Sequence, residues 1–350
     1  MLENGGDMVR IDGSLGEGGG QILRSSLTLS ALTGKPLEIH NIRANRPKPG
    51  LAPQHVKAVE AAAAVCGAKV EGAQFGSQTL TFEPGEIRAG DYTFDIGTAG
   101  STSLVLQTVF LPLSFAESPS TVSIEGGTHV PWSPSFHFLE KQYLPWMRRI
   151  GFDLDLKMER AGFYPRGGGL VQADIRPATH LSPISATERG RLQRIRGISG
   201  VANLPFSIGE RQRARALKHL AGFGVPVEIE TVEVPALSPG TFLFLAAEFE
   251  GSCCCASSLG ARGKPAEKVA DEAAGELAAL IRSDGAIDKY LCDQLLLPLA
   301  LIDGVSDLRT AEVTRHLLTN ADIVRKFLPA EITIEGELGE AGTLRVVGSR

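Results

Sequence analysis

The chain has 350 residues, 43% of them hydrophobic and 21% charged, enough to bury a large core in two or three structural units. Its net charge of −5 excludes a global field for nucleic acid, so such binding must come from local clusters. The five cysteines, Cys66, Cys253, Cys254, Cys255 and Cys292, are odd in number and lack CxxC spacing, so they support neither a zinc site nor a disulfide framework. No apolar run is long enough to span a membrane and no signal peptide is visible, so a reducing, cytoplasmic setting is expected. Residues 1–7 read as an appendage or an alternative start.

The first informative stretch is Gly16-Glu17-Gly18-Gly19-Gly20-Gln21-Ile22-Leu23-Arg24. Its three consecutive glycines admit φ > 0 and close approach of a ligand. Behind them Ile22, Leu23, Leu27, Leu29 and Leu32 predict a helix stopped by Thr33-Gly34. Free N–H groups at such a helix start suit phosphate. Glu17 inside an anion-friendly loop calls for a divalent cation joining it to the phosphates. The plainer alternative is a tight strand-to-helix turn with an exposed glutamate.

Three segments share one layout of helix, strand, loop, helix and strand. The first has a strand over 36–42, an arginine loop over 43–49, a helix from Pro53 to Cys66 and a strand near 69–71. The second has a helix over 101–113, a strand over 121–125, a loop over 126–134, a helix over 135–149 and a strand over 152–156. The third has a helix over 292–302, a strand over 310–313, a loop over 314–316, a helix over 320–328 and a strand over 331–335. Leu23, Leu104 and Leu295 as equivalent positions give steps of 81 and 191 residues, an excess of 110 that is about a small domain. Repetition gathers equivalent loops at equivalent sheet ends, so the loops at 43–48, 126–134 and 314–316 are expected to meet.

The excess is placed at 187–282. It opens with Arg189, Arg191, Arg194 and Arg196, and Ser207-x-x-Glu210 reads as a capping box. The helix that follows carries Arg211, Arg213, Arg215 and Lys218 and reads as a solvated face rather than an RNA contact. Strands are expected over 227–234 and 241–249, a helix over 265–281, and the adjacent cysteines at 253–255 as a buried strand.

Among seven histidines, His40 reads as half-buried on a strand, while His55 and His219 lie in helices; His129, His137 and His180 have no partner at a telling spacing. His316 follows Arg315 at a strand-to-helix loop, where a neutral imidazole is a competent nucleophile. From its position alone a structural role is the stronger reading. Arg24, Arg43, Arg46 and Lys48 fall near one sheet end and read as a phosphate seat for bidentate guanidinium groups. No GxxxxGK[ST] is present, so any ATP site is not a P-loop, and no lysine stands where a ligase-type nucleophile would precede Asp284-Gly285.

The glycine stretch 16–24, Arg43-x-x-Arg46-x-x-Pro49-Gly50-Leu51, Gly162-Phe163-Tyr164-Pro165-Arg166-Gly167-Gly168-Gly169, and Asp293-Gln294 with His316 together resemble the RNA 3′-terminal phosphate cyclase family. The resemblance covers nearly the whole chain. It implies an α/β fold: a large domain of three βαβαββ-like repeats, 8–186 and 283–340, with a smaller α/β domain inserted at 187–282. It implies ATP-dependent conversion of an RNA 3′-phosphate to a 2′,3′-cyclic phosphate through a covalent histidine–AMP intermediate and an RNA-adenylate. By the same resemblance His316 is the nucleophile and Glu17 holds a divalent metal, Mg²⁺ or Mn²⁺. Arg24, Arg43, Arg46 and Gln54 hold the RNA end, and Gln107, Pro134, Tyr290, Asp293 and Gln294 hold the nucleotide.

Two positions depart from the family pattern. Ala161 stands where a basic residue usually opens the glycine signature, and Arg262 stands near where an aromatic would stack on adenine. Arginine also stacks on a base. The competing expectations are a non-catalytic cyclase-like RNA-binding protein of ribosome assembly and a carbohydrate-type transferase on similar repeats. The retention of Glu17, Asp293, Gln294 and His316 argues against the first. The apolar share is compatible with a homodimer.

Overall fold

A computed structural model describes residues 7–349, so most of the amino-terminal appendage expected at 1–7 lies outside the described residues. The first unit runs β1 (Val9–Asp12), α1 (Gly20–Thr33), β2 (Leu37–His40), α2 (Pro53–Cys66), β3 (Lys69–Glu71) and β4 (Leu80–Glu83). The second runs β5 (Asp91–Asp95), α3 (Thr102–Ser114), β6 (Ser120–Gly126), α4 (Phe136–Phe138), a π-turn (Leu139–Tyr143), α5 (Leu144–Ile150), β7 (Asp153–Arg160) and β8 (Gly169–Arg176). Both form sheets in one order, β1-β2-β4-β3 and β5-β6-β8-β7, with the first two strands parallel and the rest antiparallel.

The third sheet starts from a two-residue strand, β9 (Ser185–Ala186). Between it and the rest of its sheet come β10 (Leu192–Ala202), α6 (Ser207–Leu220), β11 (Val227–Glu233), β12 (Gly240–Phe249), β13 (Cys253–Leu259) and α7 (Ala266–Arg282). The third unit then resumes with α8 (Lys289–Ala300), β14 (Gly304–Thr310), α9 (Arg315–Phe327), β15 (Glu331–Glu335) and β16 (Gly342–Gly348). Its order, β15-β16-β14-β9 with β14 parallel to β9, is the pattern of the first two sheets. The fold is therefore mixed α/β with three repeated βαβαββ units. The intervening segment has its own sheet, β11-β10-β12-β13, and its own apolar cluster, in which Ile195, Leu243 and Leu245 pack on Leu220, Val269 and Leu277.

The local reasons are visible in the sequence. Gly34 and Gly67 end α1 and α2 in left-handed conformations at φ 70 and 60. The helix α3 is buried along almost its whole length and packs against α1 and α2. The exposed arginines of α6 are paired with α7: Arg211 Nε lies 2.8 Å from Glu267 Oε1, and Arg215 Nε 2.7 Å from Asp271 Oδ1. That solvated face carries little stability, since exposed pairs contribute roughly 0–1 kcal/mol.

Several expectations are corrected. The strand expected at 310–313 lies at Gly304–Thr310, where Ser306, Leu308 and Thr310 face inward while Asp307 and Arg309 face outward. The helix expected from 320 begins at Arg315, because Thr314 Oγ1 caps it by accepting the Leu317 N–H at 3.0 Å. The capping box at Ser207 does not form; α6 starts from a helical Phe206 with no side-chain cap. His40 is exposed. Of the three consecutive glycines only Gly18 has positive φ, joined by Gly16, both at 55.

Candidate active site

The start of α1 is built to receive an anion. Its first turn has no side-chain cap and no acidic residue, so its N–H groups stay available. Three guanidinium groups surround it. A β-carbon at Gly20 would meet Arg24 Nη1 at 2.9 Å and His55 Nε2 at 2.3 Å, and one at Gly19 would meet Arg46 Nη2 at 3.2 Å. Arg43, at φ 54, bonds the Gly50 carbonyl through Nη1 at 2.7 Å. His55 sits buried among these cations, and its Nδ1 accepts the Ala52 N–H at 3.1 Å, capping α2. Burial, then Arg24 and Arg43, push its pKa down to about 3. Burial also lowers Arg24 to about 10, against the pull of Asp293.

His316 lies in the first turn of α9, not in a loop, and is about half exposed. Its Nδ1 stands 3.2 Å from Glu17 Oε2, and the same oxygen stands 3.8 Å from Arg46 Nη2. A carboxylate at Nδ1 favours the tautomer with its proton there, which leaves the Nε2 lone pair free. Glu17, Gly18, Gly19, Gln21, Ile22, His316 and Thr319 line one small cleft of about 10 Å³.

A polar chain fixes this cleft from behind. Gln21 donates to Asp293 Oδ1 at 2.5 Å, Asn320 donates to the Asp293 carbonyl at 3.1 Å, and Ser25 donates to Asn320 Oδ1 at 2.7 Å. These bonds tie the N-terminal halves of α1, α8 and α9 to one another. Burial raises Asp293 to about 6, opposed first by His316, then by Gln21 and Arg24. From α3, Gln107 donates to Gln294 Oε1 at 2.5 Å, and Gln294 donates to the Tyr290 carbonyl at 3.0 Å. Tyr290 is half exposed, and its hydroxyl donates to Glu276 Oε1 of α7 at 3.3 Å. Burial, then Glu276, raise that phenol to about 12.

Two of the three loops expected to meet do so: 43–48 and 314–316 share Glu17. The third, 126–134, is held against Gly162, whose carbonyl accepts the Thr128 N–H at 2.9 Å and the His129 N–H at 3.1 Å. Pro134 lies on that loop, half-buried. Gln54 faces the second unit, where its Oε1 accepts the Ser101 N–H at 3.2 Å. Lys48 is exposed. Ala161 is fully buried and its N–H donates to the Pro235 carbonyl at 2.7 Å, so a long basic side chain has no room there.

Asn320, Glu276 and Asp288 support the site and escaped sequence reading, which named Gln21 and His55 without giving them a role in it. Asp288, fully buried, caps α8 by accepting the Tyr290 and Leu291 N–H groups at 2.9 Å each, and it also accepts from Gln142. Burial raises it to about 6. Among the described residues no group of three or more His, Cys, Asp or Glu could cage a metal. Glu17 alone, partly exposed beside the α1 N-terminus, fits only a hard cation that takes most of its ligands from water and phosphate, the habit of Mg²⁺.

The family model described as RNA 3′-terminal phosphate cyclase matches residues 15–334. A relative of that name from Pyrococcus furiosus is 43% identical over 340 residues, covering 97% of this chain and 99% of its own. Another from Methanopyrus kandleri is 44% identical over 346 residues, covering 97% and 98%, and one from Methylococcus capsulatus is 46% identical over 344 residues, covering 96% and 95%. A solved structure, the enolpyruvyl transferase NikO from Streptomyces tendae, aligns over 98% of this chain and 48% of its own at TM-score 0.40 and 12% identity, too slight a likeness to argue from. On the family match and these three relatives, the chain belongs to the RNA 3′-terminal phosphate cyclase family.

Proposed function

We propose that the protein closes RNA 3′-phosphate ends to 2′,3′-cyclic phosphates at the expense of ATP, with His316 as the covalent nucleophile. The observation that carries this reading is the exposed His316 imidazole, with Nδ1 3.2 Å from Glu17 at the uncapped start of α1. The His316 Nε2 lone pair attacks the α-phosphorus of ATP, forming a P–N bond as the α–β P–O bond breaks and pyrophosphate leaves. An oxygen of the RNA 3′-phosphate then attacks that phosphorus, breaking the P–N bond and forming an anhydride with AMP. The terminal 2′-OH attacks the activated phosphate and AMP departs, its proton passing to solvent. Closure is intramolecular, where effective molarity is large.

Arg24, Arg43 and Arg46 are read as the seat of the RNA terminal phosphate, with Gln54 at its edge. Gln107, Asp293, Gln294, Tyr290 and Pro134 are read as nucleotide contacts; the linked side chains Gln107, Gln294 and Glu276 support this by fixing Tyr290. Glu17 would hold a divalent ion, Mg²⁺ or Mn²⁺, which when bound supplies charge neutralisation for the triphosphate. We read 8–186 with 283–340 as the catalytic domain and 187–282 as an insertion, supported by the separate sheet and apolar cluster of the latter. A cytoplasmic setting fits five free thiols, and no helix among the described residues is long and apolar enough to cross a membrane.

The test uses a 3′-phosphorylated RNA and the same RNA ending in a 2′-deoxynucleotide. The first should yield a cyclic end; the second should stop at the adenylylated end, since its attacking hydroxyl is missing. Equal cyclisation-type products from both would remove the mechanism.

A further inference from the structure

Trp132 is fully exposed, and its backbone holds φ 64, a conformation a bulky residue rarely adopts. It lies on the loop between Thr128 and Pro134. The backbone of His129 pairs in parallel with that of Phe163, so Trp132 and Tyr164 both follow this bridge in the same direction. Tyr164 is 72% exposed. Two residues beyond Tyr164, Arg166, also exposed, gives one hydrogen bond through Nη1 to the Leu237 carbonyl at 2.9 Å and pairs with no carboxylate among the described residues. Leu237, 45% exposed, packs against Gly168.

The Tyr164 loop connects to the site of the three arginines through residues 98–100 and Gln54. A β-carbon at Gly167 would meet the Thr98 carbonyl at 2.6 Å, so the Tyr164 loop lies on residues 98–100. A β-carbon at Gly100 would meet Gln54 Cβ at 2.8 Å, and Gln54 precedes His55, which lies among Arg24 and Arg43. An RNA end held at those arginines must send its upstream chain somewhere. Two exposed rings with a guanidinium that faces no carboxylate among the described residues offer what single-stranded RNA uses, faces for bases and a cation for phosphate.

Resting on the function proposed above, we propose that Trp132 and Tyr164 form a stacking platform for RNA bases upstream of the 3′-terminal nucleotide, with Arg166 on the backbone. The chain has two tryptophans and Trp146 is buried, so changes in tryptophan emission report chiefly on Trp132. Adding a 3′-phosphorylated RNA of about ten nucleotides should quench that emission. Trp132→Ala should weaken binding of this RNA about tenfold, Trp132→Phe should restore most of it, and a single 3′-phosphorylated nucleotide should bind the wild type and Trp132→Ala alike. Unchanged RNA binding in Trp132→Ala would overturn the platform. So would quenching by ATP alone, which would give the indole to adenine, or equal weakening for the RNA and the single nucleotide. Self-labelling of the wild type by ATP, measured without RNA, tests the enzymatic reading separately, and the binding measurements stand whatever its result.

Discussion

Glu17 Oε2 lies 3.2 Å from His316 Nδ1, joining the first glycine loop to the last long helix of the chain. The contact places a carboxylate at Nδ1, where it orients the imidazole and leaves Nε2 free of that partner. Glu17→Gln keeps the shape but loses the charge. Formation of the protein–AMP adduct should slow about 10- to 100-fold, the loss typical of a group that orients a reacting imidazole. Adduct formation at the wild-type rate in Glu17→Gln would leave Glu17 without that role.

Asp288 is expected to support the nucleotide residues without touching the nucleotide. Asp288→Ala removes the α8 cap and leaves the buried Gln142 amide unpaired. The cost is about 1–3 kcal/mol, read by denaturant unfolding. Because Tyr290, Asp293 and Gln294 follow on the same helix, KM for ATP should rise more than kcat falls. A variant of wild-type stability would contradict the assignment.

Helix ends and core strands were legible where a single local rule decides them. Pro53 with Gly67 marks the observed bounds of α2, and Gly34 stops α1. The start of α9 was missed because Thr314 is a cap only in view of Leu317, and polar Arg315 and His316 do not show an apolar period. The four-residue β1 and β4 and the two-residue β9 carry too little pattern to stand out, whereas β8 and β16 alternate inward and outward over eight and seven residues, a pattern the sequence does hold. The polar chain behind the cleft was out of reach for a different reason. Gln21 and Asp293 are 272 positions apart, and only the convergence of three helices makes them partners. The resemblance supplied Glu17 and His316 as a pair of roles; their proximity is a property of the fold.

His55 makes stability depend on pH with a definite sign. Its folded pKa is about 3, against about 6.5 when unfolded, so the unfolded chain takes up a proton that the folded chain refuses. The stability it contributes is complete above about pH 6.5 and is lost as pH falls toward 3. Asp288 and Asp293, both raised to about 6, act oppositely between roughly pH 4 and 6, so the variant must isolate the effect. Between pH 7 and 5, His55→Gln should lose about 2 kcal/mol less than the wild type in urea unfolding. Parallel losses would show that His55 is not held neutral.

Gly20 is required by contact rather than by φ. The β-carbon of Gly20→Ala would have to displace His55 or Arg24. The variant should lose about 1–3 kcal/mol of stability, as overpacked sites do, and raise KM for the RNA end. Crystals of the variant would show which side chain moves; an unmoved Arg24 with normal RNA kinetics would count against the arginine seat.

The central claim is that His316 carries AMP. Incubation of the protein with ATP labelled at the α-phosphate and Mg²⁺ or Mn²⁺, followed by denaturation and acid treatment, measures this directly. The account predicts label on the wild-type protein that is lost in acid and absent from His316→Asn. Label that persists in His316→Asn would contradict it.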